Sequence, residues 1–285
     1  MQWWQILLIC LGAATLAFFA LFIFLMKPSG KRREKMKEFA NVRYAHRGLH
    51  GNGVAENSMT AFRLATDGGW GIELDVRLSK DGELVVFHDD ELSRVTEFDG
   101  RVCDRTYGEL SKMKLSGTED TVPLFKDVLR AVDGKVPLLV ELKEAEGSYG
   151  VAEAAVKILS EYDGPYIIES FNPLSLARVR KIAPEVLRGI LAQHFTADKK
   201  YRGIKYFLLQ HLCLNFLCRP DFVAYNFKHA KMPAFRLLRA FGAPCLAWTT
   251  ESEEDDAKAL GSGFGGIIFQ YYTPSVKVED KRSKK

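Results

Sequence analysis

The hydrophobic positions of this chain fall into two regimes. Residues 6–26 are continuously apolar apart from Gly12 and Thr15, long enough to cross a hydrocarbon core of about 30 Å as one helix. From residue 42 onward, short β-branched and aromatic runs alternate with stretches whose apolar residues recur at helical spacing. Parallel strands joined by crossover helices read this way. Eight such runs lie at 42–46, 71–76, 137–143, 166–171, 186–192, 221–227, 244–250 and 265–270, and eight parallel strands predict a closed, TIM-like (β/α)8 barrel. A further strand-like run at 83–89 follows the second strand after only Ser79-Lys80-Asp81-Gly82. That is too short for a parallel crossover, so the run must return as a hairpin. Counting outward from a turn at Asp81-Gly82 puts His88 across from Asp75 or next to it.

Helices are predicted at 58–66, 151–162, 174–182 and 233–241, the third stopped by Pro184 and the fourth by Gly242. Residues 198–219 are longer and more apolar than a crossover needs and interleave Lys, Arg, His and Tyr with Phe and Leu. They read as a packed crossover helix or as an amphipathic lid on a lipid surface. The expected organisation is a transmembrane anchor at 1–27, a basic juxtamembrane linker at 28–41, the barrel at 42–275 and a charged tail at 276–285.

Charge adds an orientation. Lys27, Lys31, Arg32, Arg33, Lys35 and Lys37 follow the apolar run, and Trp3 and Trp4 sit where an interfacial aromatic belt belongs. Basic residues after the run favour a retained anchor over a cleaved signal peptide, and the positive-inside rule puts the barrel on the cytoplasmic side of the cell membrane. The five cysteines make no metal-binding spacing and read as free thiols in a reducing compartment. Net charge is +4, much of it in clusters at 31–37 and 281–285, so the near-neutral body offers no nucleic-acid surface.

Polar residues at the C-terminal ends of barrel strands are candidates for chemistry. Here the first strand ends in His46-Arg47-Gly48, the second carries Glu73-Leu74-Asp75, the third Glu141-Leu142-Lys143, and the returning hairpin ends in His88-Asp89. Glu73 and Asp75, two apart on a strand, share a face, and Glu141 joins them from the next strand. Three converging carboxylates call for a cation, and an all-oxygen set selects Mg²⁺ or Ca²⁺ over Zn²⁺. His46 and His88 suit a general acid and base on either side of a phosphate, while Arg47 and Lys143 supply fixed positive charge.

The motifs HRG at 46–48, Glu56-Asn57-Ser58, IELDV at 72–76, KDGELVVFHD at 80–89, VELK at 140–143 and SFN at 170–172 resemble the glycerophosphodiester phosphodiesterase family. The likeness runs from Tyr44 to Ile268. It implies a TIM-like barrel that hydrolyses glycerophosphodiesters to glycerol 3-phosphate and an alcohol with a divalent cation. His46 and His88 would be catalytic, Glu73, Asp75 and Glu141 metal ligands, and Arg47 and Lys143 phosphate-binding. Attack by the glycerol 2-hydroxyl through a cyclic phosphate and direct attack by water both fit. Two departures are visible: Phe269-Gln270 stands where the family often has Thr-Asp, and Ser58 where it has Thr. Neither touches the residues assigned above.

Phe171 and Trp248, at the ends of the fourth and seventh strands, wall a head-group pocket or cap the barrel. Glu56 bonds His46 or Arg47, or favours a helix N-terminus. His50, His194, His211 and His229 read as surface or structural residues. The expected partners are a small glycerophosphodiester and, through the anchor, the bilayer. A lysophospholipase D acting on membrane lipid shares this fold and site, and a non-enzymatic scaffold is opposed by the intact set of histidines and acids.

Overall fold

A computed structural model describes residues 2–145 and 150–275, and the charged tail expected at 276–285 lies outside them. The apolar N-terminal run forms α1 (Trp3–Met26), a helix long and apolar enough to cross a membrane. A short turn of helix, α2 (Arg33–Met36), precedes β1 (Arg43–Ala45). Helix α3 (Met59–Gly68) starts on Ser58, whose side chain accepts from the Ala61 N–H, and stops at a left-handed Gly69. Next come β2 (Gly71–Leu78), β3 (Leu84–Val86), α4 (Tyr107–Leu110) and α5 (Phe125–Val132). The remaining units alternate regularly through β4 (Leu138–Leu142), α6 (Val151–Leu159), β5 (Tyr166–Ser170) and α7 (Pro173–Ile182). Strand β6 (Arg188–Ala192) leads through α8 (Ile204–Gln210) and α9 (Asn215–Cys218) into β7 (Phe222–Asn226). The chain ends its described part with α10 (Pro233–Ala240), β8 (Cys245–Thr250), α11 (Glu253–Gly261) and β9 (Gly266–Phe269).

Eight of these strands pair in parallel in the order β1-β9-β8-β7-β6-β5-β4-β2, and β1 pairs with β2 to close the barrel. Each run read as a parallel strand in the sequence falls on one of them. Strand β3 lies outside the ring, antiparallel to β2 with Val76 opposite Val86 and Leu78 opposite Leu84. The turn between them is tied by Ser79, whose hydroxyl lies 2.6 Å from Asp81 Oδ1 and accepts from the Glu83 N–H. Gly82 takes the left-handed φ of +82° that this turn needs.

Strand alternation sorts the core into two layers. Ile72, Leu74, Val76, Leu138 and Val140 face the helices and pack with Phe62, Val128 and Leu176. Tyr44, Leu139, Ile167, Leu191, Phe222, Leu246 and Ile268 fill the barrel interior, where Met36 and Phe39 join them from below. Met36 and Phe39, within the stretch 28–41 expected as a linker, are thus packed into the barrel floor. Gly189 is required inside the barrel, since the Phe222 ring lies 2.1 Å from where a Cβ would stand. Residues 90–136, for which the hydrophobic pattern predicts no element, hold α4 and α5, and their Leu92, Val102, Leu110 and Val122 pack with Val85 and Phe87 of the hairpin in a separate apolar cluster.

Candidate active site

The mouth of the barrel gathers the acids first. Glu73 and Asp75 lie two apart on β2, and the β2–β4 register sets Asp75 beside Glu141. One oxygen from each carboxylate lies within 4.8 Å of the other two. All three are buried. Burial, then the charges of Asp75 and Glu141, raises the Glu73 carboxyl well above its usual value. Burial likewise raises Glu141, though Lys143 opposes it. For Asp75 burial works in the same sense, but Lys143, His88 and Arg47 outweigh it and hold the carboxylate ionised.

Basic groups partly compensate. Lys143 Nζ lies 2.8 Å from Glu141 Oε1 and 3.3 Å from Asp75 Oδ1, although Asp75 Oδ1 accepts no well-aligned hydrogen bond. Arg47 turns out of β1 with a positive φ of 56°, which aims its N–H at Glu73 Oε2, 2.8 Å away. Its guanidinium pairs with Glu56 at 2.8 Å and approaches Asp75 Oδ2 at 3.7 Å. Asn57 donates to Asp75 Oδ2 at 2.9 Å.

The two histidines reach this group from different elements. His46 follows β1, donates its backbone N–H to the Phe269 carbonyl, and places Nδ1 2.7 Å from Gln270 Oε1. Its Nε2 lies 3.9 Å from Glu73 Oε2. Burial and the nearby Arg47 charge bring its pKa down to about 3. His88 arrives on the hairpin. The Phe87 N–H donates to the Asp75 carbonyl, so Phe87 stands opposite Asp75 and His88 one residue further on, next to it as the turn count allowed. Its Nδ1 lies 2.7 Å from Asp89 Oδ1. Asp89 sits at about 2, because the His88 and Arg94 hydrogen bonds outweigh its burial.

Phe171 and Trp248 pack edge to face at 5.6 Å, and Lys143 Nζ lies 5.9 Å above the Phe171 ring. They form an aromatic pair next to Lys143 at the ends of β5 and β8. Glu56 bonds Arg47 and also Arg94; it does not reach His46, and the helix cap is Ser58. His194 and His229 face each other at 5.5 Å, His50 packs on Tyr271, and His211 bonds its own helix.

Three residues escaped the sequence reading. Gln270, one of the two positions where the chain departs from its resemblance, is a direct partner of His46, so that departure does touch the site. Arg77 holds the His88 carbonyl with Nε at 3.0 Å and Nη2 at 2.8 Å. Glu169, opposite Glu141 in the β4–β5 register, is a further buried carboxyl, raised well above its usual value by burial and then by Glu141 and Glu73. Its signal was an acid in an otherwise apolar strand, in step with Glu141. With Glu169, four buried carboxylates gather near Arg47 and Lys143, and the hard oxygen set of Glu73, Asp75 and Glu141 fits a divalent cation.

A TIM barrel carrying paired histidines, clustered acids and fixed cations at its mouth defines a phosphodiester hydrolase in general outline. Residues 46–272 match the glycerophosphoryl diester phosphodiesterase family. A glycerophosphodiester phosphodiesterase of Caldanaerobacter subterraneus is 32% identical over 239 residues, covering 79% of this chain and 91% of that protein. A phosphodiesterase of Oleispira antarctica, solved with its product sn-glycerol-3-phosphate, superposes with a TM-score of 0.69 at 26% identity, covering 82% of this chain and 94% of that one. A lysophospholipase D of Rattus norvegicus is 33% identical over 135 residues, 43% of this chain and 42% of that protein. The chain belongs to the glycerophosphodiester phosphodiesterase family and is a hydrolase of that class.

Proposed function

We propose that this protein hydrolyses glycerophosphodiesters to glycerol 3-phosphate and an alcohol, in a divalent-cation-dependent reaction of lipid metabolism at the cell membrane. The observation that carries the reading is the meeting of His46, His88, Arg47 and Lys143 around the buried Glu73–Asp75–Glu141 set. Those three carboxylates would hold Mg²⁺ or Ca²⁺, which when bound supplies positive charge for the phosphate oxygens. Arg47 and Lys143 add fixed charge on either side and orient the phosphate against the acids.

The surroundings of the histidines divide their labour. Gln270 Oε1 facing Nδ1 keeps the His46 proton there, and burial keeps the ring neutral, so Nε2 is free to take a proton from the attacking hydroxyl. His88 is oriented by Asp89, whose carboxylate lies on Nδ1 and offers a counter-charge to the ring, so Nε2 is the atom that hands a proton to the leaving alcohol. Phe171 and Trp248 would wall the glycerol or head-group pocket.

The test is release of glycerol 3-phosphate from glycerophosphocholine before and after treatment with EDTA. Activity should vanish on chelation and return with Mg²⁺ or Ca²⁺; full turnover in a metal-free preparation overturns the cation's role.

Helix α1 also supports a second reading, a lysophospholipase D acting on membrane lipid, which the same assay separates when a lysophospholipid is run in parallel. The basic flank after α1 supports a cytoplasmic barrel. A C-terminal tag should then resist protease in sealed cells and be cleaved only after lysis.

A further inference from the structure

The last turn of α1 is built into the barrel. Met26 is fully buried, and its carbonyl accepts from Asn215 Nδ2 at 3.0 Å. Arg219 donates to the Phe24 carbonyl at 2.8 Å and the Lys27 carbonyl at 3.2 Å, and it lies 4.5 Å over the Phe24 ring. The Ser29 N–H bonds the Pro220 carbonyl. Arg32 then makes a two-point pair with Asp221, at 3.0 and 2.6 Å, and also reaches the Pro184 carbonyl. Arg33 donates to the Phe241 carbonyl. Asp221 is itself buried and held from the other side by the Arg188 N–H.

These partners share one place in the fold. Pro184, Asp221 and Phe241 precede β6, β7 and β8, so all lie at the N-terminal ends of strands, the floor of the barrel. His46, His88, Lys143, Phe171 and Trp248 lie at the other end. Strand β7 alone, five residues long, spans about 16 Å, or about 13 Å along the axis after the usual tilt. Helix α1 is not packed along the barrel wall, since Phe18 and Phe19 are 64% and 55% exposed and none of its apolar window is buried. Around the attachment Lys27, Lys31, Lys35 and Lys37 are exposed, against Glu34 and Glu38, a balance that suits anionic headgroups.

We propose that the barrel floor, latched by Arg219 to the last turn of α1 and by Asp221 to Arg32 just beyond it, is the face this protein turns to the bilayer, and that the latch holds the mouth away from it. This rests on the anchoring reading given above. The consequence is selection by reach: a diester free in water diffuses to the mouth, while a lipid must be lifted out of the membrane at a factor of about four in occupancy for each methylene exposed. The rival face is α8, which starts at the mouth end and leaves Ile204 and Phe207 71% and 49% exposed.

The experiment uses the full chain with Cys10→Ser and Cys103→Ser, in phosphatidylcholine–phosphatidylglycerol vesicles carrying a headgroup quencher. A fluorophore is attached at Lys35→Cys on the floor, at Lys228→Cys beyond β7, or at Ile204→Cys on α8. The floor label should be quenched and the other two should not. Quenching at Ile204→Cys or Lys228→Cys equal to that at Lys35→Cys overturns the proposal while leaving the anchor intact. A chain that fails to float with vesicles removes both the anchoring reading and this one. Joint Arg32→Ala and Arg219→Ala substitution should let the mouth labels become quenched while hydrolysis of soluble glycerophosphocholine stays within about twofold. Unchanged quenching in that variant would show that the latch does not set the orientation. Loss of glycerophosphocholine turnover in every form would refute the enzymatic reading and leave the labels to decide the geometry.

Discussion

At the residue scale His46 meets Gln270, His88 meets Asp89 and Lys143 meets Glu141. General acid–base catalysis contributes about 10² to 10⁴ in rate, so His46→Ala and His88→Ala should each lower kcat at least about a hundredfold, with a much smaller effect on KM. Because the two act on one transfer, the double variant should be scarcely slower than the worse single one; multiplicative losses in steady-state assays would mean independent roles. Gln270 is a positioning residue in this scheme. Gln270→Leu removes the acceptor that fixes the His46 proton on Nδ1 and should cost about tenfold in kcat, whereas Gln270→Asn should recover part of it. Unaltered kcat in Gln270→Leu would show that His46 needs no such orientation.

Glu56 makes a different contribution, to stability. Burial opposes its ionisation, but Arg94 and Arg47 hold it at about 2 against an ordinary 4.5. A depressed carboxylate stabilises the fold above its unfolded pKa and loses that contribution as pH falls toward its folded pKa. Glu56→Gln should therefore cost up to about 3 kcal/mol at pH 7, with the gap to the unsubstituted protein closing between pH 4.5 and pH 2 in denaturant titrations. A gap of constant size across that range would place the stabilisation elsewhere.

At the scale of elements, what was legible followed from local periodicity, and what was not followed from contacts made at a distance. The eight parallel strands, the helices at α3, α6, α7 and α10 and the return of 83–89 as β3 all carry their signal in a few consecutive residues. The acids on β2 and β4 were readable because strand parity fixes the face a residue takes. Gln270, Arg77 and Glu169 were not readable in the same way. Gln270 meets His46 only because β9 closes against β1, and Arg77 matters only because β3 lies on β2 and presents the His88 carbonyl to it. Residues 28–41 looked like a linker from charge alone, while Met36 and Phe39, spaced by three, were the apolar pair that plugs the floor. The hairpin carries its own test. Arg77→Met keeps the length and loses both bonds to the His88 carbonyl, so kcat should fall about tenfold or more with far-ultraviolet circular dichroism unchanged. Wild-type kcat in that variant would mean the apolar cluster under β3 holds His88 unaided.

On the scale of the whole molecule, the barrel concentrates like charge at one end and resolves it only in part. Glu73, Asp75, Glu141 and Glu169 are buried at the mouth with Arg47 and Lys143 as the facing cations, and burial raises Glu73, Glu141 and Glu169 together. Neighbouring carboxylates driven upward in common mark a site short of positive charge. A divalent cation that binds the folded chain and not the unfolded one should then stabilise it by mass action, by about 2.7 kcal/mol at a hundred times its Kd. For a domain of this size that corresponds to a rise of roughly 5 to 10 °C in Tm, readable by calorimetry without any substrate. Glu141→Gln should abolish most of the rise while raising the Tm of the cation-free protein, since it removes one member of the repelling set. An equal cation-induced rise in Glu141→Gln would move the binding site away from β4, and a lowered cation-free Tm would show that Lys143 needs the Glu141 charge more than Glu73 and Asp75 are strained by it.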